Sequence, residues 1–181
     1  MNEPSLIIVV VEDEHHRMLI YKYLKKRGFG GHAIRIFLSP SASGSAEKWV
    51  RNRFVLETCV YRKRQAQTAL IVVIDADLHT VQDRLAQLDR ALAREGRPVI
   101  DGRERVARLV PKRNVETWIL CLNGQVVDEE TDYKWAERDW NQLITHAART
   151  LSRLASSPAN LADGYIDSLR HCLIALKRLD L

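Results

Sequence analysis

Two stretches of the chain are apolar at every position: Leu6-Ile7-Ile8-Val9-Val10-Val11 and Ala69-Leu70-Ile71-Val72-Val73-Ile74. Both are short, rich in β-branched side chains and bounded by polar residues. That is the pattern of strands buried on both faces of a parallel sheet. Elsewhere the period is helical. Leu19, Ile20, Tyr23 and Leu24 share one face of a helix predicted over 14–27, stopped by the glycines of RGFGG at 27–31. A second strand is predicted over 33–38. The loop SPSASGS at 39–45 follows, and Ser45 can cap a helix carrying Lys48, Trp49 and Arg51. Val81, Leu85, Leu88 and Leu92 recur at helical spacing over 80–95, with Thr80 as cap. A fourth strand over 104–110 leads to Asn114, the cap of a short helix with Val115, Trp118, Ile119 and Leu122. NGQVVDEETDY at 123–133 reads as a loop, and helices near 135–155 and 162–179 close the chain.

Strands alternating with helices imply an α/β fold: a four-stranded parallel sheet with right-handed crossovers and helices on both faces. The 181 residues suit one domain, with an α/β core over 1–125 and a helical extension over 126–181 that packs on it. The extension also offers an apolar face to a partner protein or to a second copy in a homodimer. Ligands of such sheets bind outside the carboxyl ends of the strands. Two acidic clusters stand at such ends: Glu12-Asp13-Glu14 and Asp75-Ala76-Asp77.

Composition narrows the class. The chain is 46% hydrophobic and 28% charged, ordinary for a globular domain. No apolar run nears the roughly 18 residues of a membrane span. Met1-Asn2-Glu3-Pro4 lacks the basic start of a secretory signal, so a cytoplasmic location is expected. Cys59, Cys121 and Cys172 lie far apart without metal-finger spacing and read as reduced, buried thiols. The net charge of +5 is modest, but it is clustered. Residues 48–65 hold Lys48, Arg51, Arg53, Arg62, Lys63 and Arg64 against Glu57, and residues 103–113 hold five basic side chains against Glu104. Such clusters suit a polyanion, nucleic acid among them, as well as a solvated surface.

Two chemistries fit the acidic strand ends. The opening VVVEDEHHRMLIYKYLKKRGF resembles a response-regulator receiver, which would make Asp75 a phosphoacceptor and Lys112 its lysine partner. Yet Asp75 follows Asp13 by 62 residues, where a receiver has about 40, and a second aspartate replaces the expected apolar residue and proline turn. The other chemistry is a hard divalent cation, Mg²⁺ or Mn²⁺, held by carboxylates from neighbouring strands.

A strand-end glutamate followed by Asp-X-Asp after the third strand resembles the TOPRIM domain of topoisomerases, primases and nucleases of the overcoming-lysogenization type. GSAEKWVRNRF, ALIVVIDAD and PKRNVETWI are similar to small TOPRIM-like proteins of bacterial defence neighbourhoods, over about residues 6–125. Asp13 stands where that family usually has glycine. The resemblance implies a metal-dependent nuclease, the effector beside an ATPase partner in an anti-phage system. Glu12, Asp75 and Asp77 would be metal ligands with Asp13. Glu116 would lie at or just behind the metal site, and with Asp13 and Glu14 could support a second ion. Lys112 and Arg113 would face the scissile phosphate, and Lys48 to Arg64 would follow the nucleic-acid backbone. A binding module that does not cut is a third reading.

Other residues carry weaker signals. His15 and His16, on the first turn of a helix, read as surface or supporting groups, and His79 has a better claim at the strand mouth. Trp49, Trp118, Trp135 and Trp140 could stack on bases, though the helical spacing of Trp118 and Trp140 favours core packing. Ser39, Ser41, Ser43 and Ser45 lack the elbow of a nucleophile, and SASGSAEK lacks the Gly-Lys-Ser/Thr of a phosphate loop.

Overall fold

The structure, a computed structural model, describes residues 3–40, 45–64, 67–156, 164–179 and 181. The elements follow in the order β1 (Leu6–Val11), α1 (Glu14–Lys26), a 3₁₀ turn (Gly31–Ala33), β2 (Ile34–Leu38), α2 (Ala46–Lys63), β3 (Thr68–Val73), α3 (Val81–Arg94), β4 (Val106–Leu109), α4 (Val115–Leu122), α5 (Trp140–Ser156) and α6 (Asp167–Lys177). The strands form one parallel sheet ordered β2-β1-β3-β4.

This order follows from the apolar runs. β1 and β3 bury both faces, so they take the centre. The chain leaves β1 to one side for β2 and returns across it to β3. The connection therefore reverses between β1 and β3, a switch point where such sheets leave a crevice at the strand ends. Register fixes what stands there. Val11 pairs with Val73 and Val73 with Leu109. Glu12 and Asp75 thus emerge side by side.

Alternate residues of the strands feed two apolar layers. Ile7, Val9, Val11, Ala69, Ile71, Val73, Ala107 and Leu109 pack with α1, α4, α5 and α6. Ile8, Val10, Leu70, Val72 and Ile74 pack with α2 and α3. The C-terminal helices therefore extend the layer begun by α1. Trp118, wholly buried, donates its Nε1–H to Ser168 Oγ at 2.6 Å and ties α4 to α6. Among the described residues no helix is long and apolar enough to cross a membrane.

The caps stand where the sequence puts them. Ser45, Thr80 and Asn114 accept from the amides of Lys48, Asp83 and Thr117, and Thr80 with Asp83 completes a capping box. Several boundaries differ. β2 starts at Ile34, because the 3₁₀ turn takes Ala33. β4 is shorter than 104–110 because Asp101 and Glu104 close a turn before it, with the Asp101 amide on Glu104 Oε2 at 2.7 Å. α5 starts at Trp140 rather than 135, because the Asp139 carboxylate takes the Gln142 amide at 3.0 Å. α6 starts at Asp167, and the Glu129 carboxylate takes its Ser168 amide at 3.0 Å. The expected start of that helix at 162–163, and Ser41 and Ser43, lie outside the described residues. Cys59, Cys121 and Cys172 are free, the last two buried.

Ser168→Ala leaves the Trp118 N–H buried and unpaired. We expect a loss of about 1–3 kcal/mol in urea unfolding. A variant as stable as the parent would show that this bond does not hold α4 to α6.

Candidate metal centre

Asp13 ends the extended chain after β1 and caps α1. Its Oδ1 accepts the His16 amide at 3.1 Å and meets His16 Nδ1 at 2.7 Å. This double contact orients the imidazole, and His16 Nε2 reaches Asp75 Oδ1 at 2.9 Å. His16 is 0% exposed. Glu12 closes the group from the neighbouring strand end, its Oε2 accepting the Asp75 amide at 2.7 Å. One donor atom each from Glu12, His16 and Asp75 lies within 4.8 Å of the others. Two carboxylates and an imidazole this close can hold a metal ion.

The 75–77 turn is held from beneath. Arg84, buried on α3, donates its Nε–H to the Asp75 carbonyl at 2.8 Å, and its guanidinium also reaches Glu47 and Asp77. Asp77 has φ 55°, a left-handed conformation that aspartate tolerates better than most residues. The Ala76 amide bonds to the Pro111 carbonyl at 2.8 Å, joining the tips of β3 and β4.

Beside this group lies another pair. His15 Nδ1 meets Glu116 Oε1 at 2.5 Å, and the His15 ring is 5.3 Å from that of Trp140. Glu116 is 0% exposed, and its Oε2 has no hydrogen-bond partner among the described residues. Lys134, from the segment before α5, brings its Nζ to 3.2 Å from Asp13 Oδ2.

Burial shapes the charges here. Glu12 is raised from 4.5 to about 7, first by burial and then by the Asp75 carboxylate. Asp75 is raised from 3.8 to about 6 by burial, against the pull of His16. Burial opposes a charge on His16 as well, but Asp75 and Asp13 at its two nitrogens overcome this and raise it well above 6.5. For Asp13 the burial cost is outweighed by His16 and Lys134, and its carboxyl is held well below the usual range. The hydrogen bond to Glu116 raises His15.

The sequence-derived candidates thus separate. Glu12 and Asp75 converge. Asp77 does not join them: its side chain is 57% exposed and leans on Arg84. Asp13 stands one step back, engaged by His16 and Lys134. Glu14 is exposed and pairs with Arg17. Glu116 lies behind the group, against His15. Lys112 pairs with Glu130 at 3.1 Å and Arg113 with Asp132 at 3.7 Å, so both lean on the loop after α4. Of the basic stretch, Arg51 pairs with Glu47, Arg53 with Glu57 and Arg62 with Glu104, while Lys48 and Lys63 are exposed and Arg64 is half-buried. His79 is exposed at the strand mouth. His16 is not a surface residue as its place on the first turn suggested. A cap three residues ahead of it was the available signal, since an N-cap aspartate faces that side of the helix. Lys134 and Arg84 carried no sequence signal.

The raised carboxyls set a direction for stability. The folded chain keeps protons on Glu12 and Asp75 that the unfolded chain releases between about pH 4 and 7, so stability falls as pH rises through that window. The contribution of His16 is full below 6.5 and fades as pH rises above it, in the same direction. Without added metal we expect Tm to fall by on the order of 5 °C between pH 5 and pH 8, with a flatter profile for Glu12→Gln. A Tm that climbs over this interval, followed by differential scanning fluorimetry, would contradict the assignment.

No family model matches the chain, and neither a curated protein nor a solved structure matches it.

Proposed function

We propose that the chain is a divalent-cation-dependent phosphodiesterase acting on nucleic acid, a TOPRIM-like nuclease in the sense of its sequence resemblance. The observation that carries this reading is the convergence of Glu12, Asp75 and His16 at the β1–β3 switch point. When bound, the cation lowers the pKa of a water, neutralises the phosphate and stabilises the leaving oxygen.

The residues divide that work. Glu12 and Asp75 would hold the ion, and His16 Nε2, given up by Asp75, would complete the set. Its other nitrogen is fixed by Asp13, the carboxylate–histidine support common behind metal ligands. An imidazole beside two carboxylates suits Mn²⁺ better than Mg²⁺, which prefers oxygen alone. His15, oriented by Glu116, stands ready to move a proton beside the group. Lys134 brings a positive charge to it. Lys112 and Arg113 would serve the phosphate only after leaving Glu130 and Asp132. The exposed Lys48 and Lys63 offer salt-sensitive affinity for the backbone. An ATPase partner, a role in anti-phage defence and a homodimer rest on the resemblance and the C-terminal helices alone.

A second reading has its own support. His16, as an imidazolium between Asp13 and Asp75, compensates their charge without any cation, as a nucleic-acid-binding module that does not cut would allow. A receiver would need Asp75 accessible and Lys112 beside it. Asp75 is buried against His16, and Lys112 pairs with Glu130.

The test is incubation of the purified chain with supercoiled plasmid, single-stranded DNA and total RNA in Mg²⁺ or Mn²⁺. We expect Mn²⁺-supported cleavage that EDTA, Asp75→Asn and Glu12→Gln abolish. Asp13→Asn should raise the Mn²⁺ requirement roughly 10- to 100-fold. Binding of nucleic acid with every substrate left intact would favour the module.

A further inference from the structure

The four tryptophans fall into two kinds. Trp118 is wholly buried, and Trp49 and Trp140 are half-buried against the core. Trp135 is 82% exposed. An indole left open to solvent offers a flat face on which another ring can stack. Its place in the chain gives it meaning. It follows Lys134 directly, and Lys134 reaches Asp13 beside the metal centre. Leu78, 86% exposed, follows Asp77 at the same end of the sheet. Beside the crevice, a lysine and an exposed tryptophan are thus neighbours in the chain, with an exposed aliphatic side chain after β3.

We propose that Lys134 and Trp135 form a recognition step for single-stranded nucleic acid, in which Lys134 leaves Asp13 to meet a backbone phosphate and Trp135 stacks on an unpaired base next to it. This rests on the nucleic-acid reading above and narrows its substrate. A nucleotide offers a phosphate and a flat ring on one short unit, and adjacent lysine and tryptophan side chains match that pairing. In a duplex each base face is covered by its neighbours, so an indole gains a partner only from an unpaired, terminal or extruded base. Stacking of this kind tolerates any sequence, because every base has a π-face. The segment is also supported. Glu129, Glu130 and Asp132 anchor it to Ser168, Lys112 and Asn114.

The test is a titration of the full chain, in EDTA to prevent cleavage, with a short fluorescein-labelled single-stranded oligodeoxynucleotide and with the same sequence as a blunt duplex. Anisotropy reads affinity and tryptophan emission reads stacking. The single strand should bind more tightly and quench emission. Trp135→Leu should weaken it roughly ten-fold or more, Trp135→Phe less, with Tm unchanged in both. Equal affinity of the parent and Trp135→Leu for the single strand would overturn the proposal, as would a preference for duplex or no binding at all. Cleavage of the same strand in Mn²⁺ separates the two claims. Trp135-dependent binding without cleavage by any cation removes the nuclease reading alone. Cleavage unaffected by Trp135→Leu removes the stacking role and leaves the nuclease reading in place.

Discussion

A buried imidazole between two carboxylates holds the carboxyl ends of β1 and β3 together. His16 sits on the first turn of α1, Asp13 caps that helix, and Asp75 lies just past β3. The contact joins two segments that the sheet has already brought side by side. It also resolves a difficulty of the fold. Two carboxylates drawn from water at neighbouring strand ends repel each other and lose hydration. Without a cation, His16 as an imidazolium donates from both ring nitrogens and answers both costs, and Glu12 is left to take the Asp75 amide.

The sheet order determines which side chains meet. Because β1 and β3 are neighbours and the connection reverses between them, their carboxyl ends share a crevice. The next layers then supply support rather than ligands. α3 sends Arg84 under the 75–77 turn, and α4 places Glu116 against His15. Two sets of groups, one from each face of the sheet, thus converge on one strand mouth.

Much of this could be read from the chain, and the parts that could not share a cause. The unbroken apolar runs at 6–11 and 69–74 identified the two central strands, and Ser45, Thr80 and Asn114 marked helix starts, because buried strands and caps are local in origin. Glu12 and Asp75 were legible because both follow such strands directly. His16 was not: its burial depends on Asp75, 59 residues away, and a first-turn position suggests solvent. Lys112 and Arg113 had the right charge, but acids at 130 and 132 in a loop of no periodicity draw them aside. Lys134 sits in that same loop, where pattern carries no information about reach. The start of α5 was misplaced for a related reason, since Trp135 and Ala136 look helical until Asp139 offers a better cap.

The loop after α4 has one further consequence. Glu129 holds the first turn of α6, Asp132 holds Asn114 at the start of α4, and Lys134, two residues on, touches Asp13. A single short segment therefore links the last helix of the chain mechanically to its first strand end. The C-terminal helices are not an appendage to a self-sufficient core. A shortened chain that ends before α6 would lose one anchor of the strap that carries Lys134, and the charge at the crevice would change with it.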